Sequence, residues 1–231
     1  MIKTVCFDLY DTLARYEPPR EEVHARACNE VGVDVSPTAM AKALPMADKF
    51  WRDENANSPI SKRTEEAKAA VYAEYEIELL KEVGVEISHE VALQIMAKIW
   101  QIGLKFEACD DALPALKLLK DRDLTVGLIS NVGQNIDSTC EEIGLQPYLD
   151  FKVTSFEIGY DKPRPEIFLA ALNKAHARPE ETVYVGDQYD MDILGAQGVG
   201  IKAILIDRND CLAHITDCPR IHTLTEIVEY I

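Results

Sequence analysis

The stretch TVCFDLYDTLA, residues 4–14, decides the fold. Thr4 to Phe7 is a short apolar run of the kind a buried strand makes, and it leads straight into an acid, Asp8. Thr12 follows four residues later. Tyr10 stands two residues past Asp8, where a second carboxylate would complete an acid/base pair. An acid that closes a buried strand lies where open parallel sheets bind their ligands, so polar residues at other strand ends are its natural companions.

Outward from this stretch the pattern is first helical, from about Tyr16 to Phe106. Ser36-Pro37 pairs an N-cap with a proline at the first helical position and opens a short helix. The segment TEEAKAAVYAEYEIELLKEVG places Ala67, Val71, Leu79, Leu80 and Val83 near helical spacing and stops at Gly84. Ser88 caps a further helix with Ala92, Ile95, Met96, Ile99 and Trp100 along one face. Beyond Phe106, helices alternate with apolar runs: DDALPALKLLKDR before LTVGLI, NIDSTCEEIG before FKVTSF, and PEIFLAALNKAH before TVYVGD. IKAILID follows, and Thr223 with Glu226 forms a capping box for the last helix. Such alternation builds a parallel sheet covered on both faces, so the fold class is α/β with an all-helical insertion after the first strand. The expected division is a core of residues 1–14 and 106–231 and an insertion of 15–105.

Composition narrows the function. A chain of 231 residues with 47% hydrophobic and 28% charged residues is an ordinary globular protein. A net charge of -16 without a basic patch opposes nucleic acid and anionic membrane surfaces. No apolar run approaches the roughly 20 residues a membrane span needs, and the N-terminus lacks a signal-peptide layout, so a cytoplasmic protein is expected. Cys6, Cys28, Cys109, Cys140, Cys211 and Cys218 form no CxxC pair and are expected to be reduced structural thiols.

The polar residues at the strand ends are Asp8, Ser130-Asn131 after LTVGLI, and Asp187 after VYVG, with Lys162 in the loop after FKVTSF. In this order they resemble the haloacid dehalogenase superfamily. Asp8-Leu9-Tyr10-Asp11-Thr12 is similar to its Asp-x-Asp-x-Thr motif, with Tyr10 as the departure. Ser130 in LISN, KPRPEIF at Lys162, and the GDxxxxD span from Gly186-Asp187 to Asp192 are similar to its other three. The resemblance implies a Rossmann-like three-layer core and an inserted helical cap that closes over a small substrate. It implies Asp8 as a nucleophile that forms a covalent aspartyl intermediate, and Lys162 as the cation that neutralises substrate and nucleophile. Ser130 and the backbone amides near Asn131 and Val132 would bind a phosphoryl group. Asp8, the Tyr10 backbone carbonyl, Asp187 and Asp192 would hold Mg2+. Asp190 lies off the pattern and is expected to be a solvated surface acid.

Two branches of the superfamily fit. Tyr10 is similar to the tyrosine that 2-haloacid dehalogenases carry two residues after their nucleophile, and those enzymes attack carbon without metal. The fourth motif is similar to that of phosphatases. Like charges about 4 Å apart repel by roughly 4 kcal/mol at an effective dielectric of 20, so Asp8, Asp187 and Asp192 cannot converge as bare anions. A divalent cation relieves that conflict, and magnesium suits an all-oxygen site. The substrate-carboxylate arginine of a dehalogenase has only Arg15 and Arg52 as candidates. The expectation is therefore a magnesium-dependent phosphatase of a small phosphorylated metabolite. A haloacid dehalogenase and a non-catalytic protein that has lost its acid at Tyr10 are the alternatives. Residues 49–59, KFWRDENANSP, are either a specificity wall or an ordinary helix end and loop.

Overall fold

In a computed structural model of the chain, which describes residues 1–58, 60, 63–132 and 136–231 and, of 55–57, the backbone alone, two compact units are formed. One comprises Met1–Arg15 with Phe106–Ile231, the other Tyr16–Lys105.

The first unit is an α/β core around a six-stranded sheet. Its strands are β1 (Thr4–Phe7), β4 (Thr125–Ser130), β5 (Phe151–Thr154), β6 (Thr182–Gly186), β7 (Lys202–Ile206) and β8 (Arg220–Ile221). All pair in parallel, in the order β5-β4-β1-β6-β7-β8. Alternate residues of each strand enter opposite faces. Val5 and Phe7 of β1 join Val126, Leu128, Val183, Val185, Ile204 and Ile206 in one buried layer, packed by α5 (Ala112–Lys120) through Leu116 and Leu119. Cys6, Ile129, Val153, Tyr184, Ala203 and Leu205 build the other, packed by α8 (Pro165–Ala175) through Ile167, Phe168 and Ala171. Burying a Leu or Phe side chain of this kind stabilises the fold by about 1.5–3 kcal/mol. The core is thus Rossmann-like and three-layered, helices on both faces of one sheet. After β6 the chain makes a π-helical turn, Tyr189–Ile193, and continues as α9 (Leu194–Gly198).

The second unit is helical: α1 (Arg20–Glu30), α2 (Pro37–Asn57), α3 (Glu65–Glu82) and α4 (His89–Ile102). Ser36, Thr64 and Ser88 each accept a backbone N–H from the third residue on, at Ala39, Ala67 and Val91, which sets the starts of α2, α3 and α4. Among the described residues, no helix is long and apolar enough to cross a membrane.

The structure corrects several details. The helix opened by Ser36-Pro37 is long, not short. It continues through Pro45 because Met40, Ala43, Leu44 and Ala47 bury one continuous face. Trp100 leaves the buried face of α4 and is 64% exposed. Two short strands, β2 (Ala14–Glu17) and β3 (Lys105–Ala108), pair with each other at the ends of the stretch read as all helix. Their sequences, ARYE and KFEA, are too short and too charged to announce strands. The capping box of Thr223 and Glu226 is present but opens a 3-10 segment, Leu224–Glu229. Asn135, expected at the start of α6 (Ile136–Glu142), lies outside the described residues, as do Pro59 and the side chains of Asn55, Ala56 and Asn57 in the stretch 49–59.

Candidate active site

Parallel register collects the strand ends at one edge. β1 runs between β4 and β6, with Phe7 opposite Leu128 on one side and Val185 on the other. The Asp8 amide extends this ladder by donating to the Val185 carbonyl at 2.9 Å. Asp8 therefore emerges from the middle of the sheet, with Ser130 ending the neighbouring β4 and Asp187 directly following β6.

Lys162 comes to this edge from the loop before α8 and is buried. Its ammonium donates to Asp8 Oδ1 at 2.6 Å, to Asp192 Oδ1 at 2.6 Å and to the Tyr184 hydroxyl at 3.0 Å. Burial alone would push the lysine down, but the carboxylates of Asp192 and Asp8 together hold it above its ordinary value. Two contacts fix its backbone: the Lys162 N–H donates to Asn131 Oδ1 at 2.7 Å, and Asn131 Nδ2 donates to the Lys162 carbonyl at 3.2 Å. Asn131 thus joins the site through its side chain, as a clasp for the lysine loop, in addition to any role of its amide.

One carboxylate oxygen each of Asp8, Asp187 and Asp192 can be chosen so that all lie within 4.8 Å of one another. Burial, opposed by Lys162 and reinforced by Asp192, pushes the Asp8 carboxyl up to about 6. Asp187 is pushed well above the usual carboxylate range by desolvation and by its neighbours Asp192 and Asp8. Asp192 is fully buried, and its oxygens accept from Lys162, from the Tyr184 hydroxyl at 2.8 Å and from the Gln188 amide at 3.0 Å. Thr12, also buried, directs its hydroxyl toward Asp187 Oδ1 at 3.5 Å. Asp190 is exposed, as expected. Asp11 is exposed as well, with a left-handed φ of 54°, so its carboxylate does not take the place that Tyr10 leaves. The Tyr10 ring packs on Phe106 with centroids 4.8 Å apart. Arg15 pairs with Asp110 at 3.3 Å, while Arg52 sits within α2.

An ammonium bracketed by the strand-end Asp8 and by Asp192 of the π-helical turn, with the strand-end Asp187 alongside, is an arrangement for anionic electrophiles. A haloacid dehalogenase-like hydrolase model matches residues 2–200. The chain belongs to that family. The hydrolase is 27% identical to human haloacid dehalogenase-like hydrolase domain-containing protein 3 over 89% of this chain and 82% of that one. It is 29% identical to a glyceraldehyde 3-phosphate phosphatase from Methanopyrus kandleri over 90% and 85% of the two chains. In fold it is similar to the HAD-hydrolase YfnB from Bacillus subtilis, solved with magnesium bound, with a TM-score of 0.70 and 20% identity over 99% of this chain and 98% of that one.

Residue patterns alone did not single out Tyr184 or Arg208. Tyr184 had one legible signal, a hydroxyl in an otherwise apolar strand, TVYVG, which requires a partner once buried. Arg208 had none, because its partners lie at distant points of the chain.

Proposed function

We propose that this hydrolase is a Mg2+-dependent phosphatase of small phosphorylated metabolites, with Asp8 as nucleophile. The observation that carries this reading is the clustering of the Asp8, Asp187 and Asp192 carboxylates beside the buried Lys162, which pairs with Asp8 and Asp192. When ionised, three carboxylates beside one ammonium leave an excess of two negative charges; Asp187 is pushed up first by burial and then by its acidic neighbours Asp192 and Asp8. A hard divalent cation fits an all-oxygen cluster with this deficit. Asp8, the Tyr10 backbone carbonyl, Asp187 and Asp192 would hold it. Asp192 also orients Lys162, whose ammonium donates to its Oδ1. The cation would supply charge neutralisation for the nucleophile and the incoming phosphate. Phosphatases among the curated relatives and a magnesium-bound neighbour of the same fold support the reading.

In the first step an Asp8 carboxylate oxygen attacks phosphorus. A P–O bond forms to Asp8 as the ester P–O bond breaks, and the leaving alkoxide takes up a proton from solvent water. In the second step water attacks phosphorus, the bond to Asp8 breaks, and phosphate is released. Lys162 balances charge on Asp8 and the phosphoryl oxygens throughout. Ser130, and the amides of Asn131 and Val132, would hold the phosphoryl group. The helical unit, 15–105, is proposed to act as the cap. Position 10 carries no carboxylate: a phenol can donate a hydrogen bond, but an ordinary phenol, near 10, is a poor base for activating water at neutral pH, and the acid/base help a carboxylate would give is worth roughly 100- to 10,000-fold. Alkyl phosphates should therefore turn over slowly and aryl phosphates faster.

The test is phosphate release from p-nitrophenyl phosphate, and chloride release from 2-chloropropionate, each with Mg2+ and with EDTA. Mg2+-dependent phosphate release that Asp8→Asn abolishes is expected; EDTA-resistant chloride release would overturn the reading. Tyr10→Asp should accelerate an alkyl phosphate more than an aryl one.

A further inference from the structure

The loop that carries Asp8 is held on its far side by a residue outside the four motifs. Arg208 lies just beyond β7, and each nitrogen of its guanidinium is engaged. Nε donates to the Asp11 carbonyl at 3.2 Å, and Nη2 donates to the Thr12 carbonyl at 2.6 Å. Nη1 and Nη2 form a fork on Asp111, at 2.9 and 3.0 Å. Asp111 occupies the N-cap position of α5 yet makes no side-chain cap there. Its carboxylate instead takes Arg208 and the backbone N–H of Leu224, at 2.8 Å. An aspartate diverted from capping its own helix has another task, and here that task is to aim the guanidinium.

The geometry of the loop shows what is being aimed. Asp11 adopts the left-handed region at φ 54°, a conformation uncommon for residues with a Cβ though more accessible to Asp than to most. The Leu9 carbonyl accepts from the amides of Leu13 and Ala14 at 2.9 and 2.8 Å, and the Leu13 carbonyl accepts from the Cys109 amide at 2.9 Å. Arg208 holds two of the three carbonyls between them, those of Asp11 and Thr12. The Asp11 amide donates to the Ala14 carbonyl at 2.7 Å. Carbonyl and N–H point oppositely across a trans peptide, so this bond turns the Tyr10 carbonyl away from Ala14. The Thr12 residue that gives its carbonyl to Arg208 also presents its hydroxyl to Asp187.

We propose that Arg208, aimed by Asp111, is a positioning residue of the hydrolase. It locks the peptide planes after Tyr10 so that the Tyr10 carbonyl and the Thr12 hydroxyl face the carboxylate cluster. The inference rests on the proposed role of that cluster in binding Mg2+ and of Asp8 in attack. It assigns to Arg208 no contact with substrate.

The experiment compares Arg208→Met, Arg208→Lys and Asp111→Asn with wild type in p-nitrophenyl phosphate hydrolysis, Mg2+ titration and amide hydrogen exchange. Arg208→Met is expected to lower kcat by about 10- to 100-fold with KM little changed, because misplacement of reacting groups by a fraction of an ångström has effects of this size. The Mg2+ concentration for half-maximal activity should rise, and exchange at Leu13 and Ala14 should quicken by about tenfold while the amides of β4 and β6 keep their protection. A lysine keeps the charge but cannot span two carbonyls and a carboxylate, so Arg208→Lys should not rescue kcat. Asp111→Asn should shift every readout in the same direction as Arg208→Met, by less. Full rescue by lysine, or loss of protection spread evenly over the sheet, would show a merely structural role and overturn the proposal. Should Arg208→Met fail to fold, the lysine and asparagine variants decide by the same readouts. Should wild type release no phosphate, the proposed function fails, and the localised exchange at Leu13 and Ala14 still decides whether Arg208 holds the loop.

Discussion

Gly186 shows how tightly single residues are constrained at the sheet edge. A Cβ built there would lie 2.3 Å from Asp192 Cγ, so only glycine lets Asp192 fold back against the end of β6 and receive Lys162. Gly186→Ala should displace Asp192, loosen Lys162 and reduce kcat for p-nitrophenyl phosphate by at least about tenfold. A variant within twofold of wild type would show that Asp192 does not position the lysine. Tyr184→Phe tests the hydroxyl between the same two groups. Its loss removes one acceptor from Lys162 and one donor from Asp192, and should lower stability by about 1 kcal/mol in urea denaturation while slowing turnover. Asp8, Ser130, Lys162, Asp187 and Asp192 were legible because each follows an apolar run or lies in a short motif. The side-chain role of Asn131 was not, since it depends on a contact across 31 residues.

At the scale of elements, the helical unit holds a buried polar pair that periodicity could not reveal. His24 on α1 places Nδ1 3.0 Å and 3.2 Å from the two carboxylate oxygens of Glu76 on α3, and both side chains are almost fully enclosed. Beside it Arg20 meets Asp48 of α2 at 2.6 Å and the Tyr75 hydroxyl of α3 at 2.6 Å, so the same faces that bury Leu79 and Leu80 also carry fixed polar contacts. Glu76→Leu leaves the imidazole without its carboxylate and should destabilise the protein by roughly 1–3 kcal/mol in urea denaturation. The double variant His24→Phe with Glu76→Leu should recover part of that loss, since an apolar pair carries no desolvation penalty. No recovery would mean that the pair is held for its geometry. The helix starts were legible because Ser36, Thr64 and Ser88 cap by local contacts. The ribbon of β2 and β3 was not, because its strands exist only once brought together.

The molecule as a whole carries a charge of -16, and several of its acids are held below their ordinary range. Arg178, with Lys3, holds the Glu181 carboxyl down at about 2. Asp111 and Asp207 are also held low: in each, burial is outweighed by an arginine, Arg208 or Arg220, together with backbone N–H donors. A carboxylate depressed in the folded state contributes stability above its unfolded pKa, near 4, and loses that contribution as pH falls through its folded value. On the acid side the depressed carboxylates should make the urea midpoint decline from about pH 4 toward 2, while the raised carboxyls of Asp8, at about 6, and Asp187 work the other way and should lower it as pH rises from about 4 through 6 in the absence of a bound cation. Glu181→Gln should lower the midpoint at neutral pH and flatten the acid limb; an unchanged acid limb would show that Glu181 contributes nothing to it. The sequence by itself determined the α/β class, the place of the helical insertion and the candidate residues at the strand ends, because apolar periodicity, caps and strand-end acids act over a few residues. Only the tertiary structure decided that β1 lies between β4 and β6, that Lys162 is bracketed by Asp8 and Asp192, and that Arg208 grips the Asp8 loop across a separation of 197 residues. Those contacts arise from the pairing order of a parallel sheet, and no local pattern encodes which distant strand ends will become neighbours.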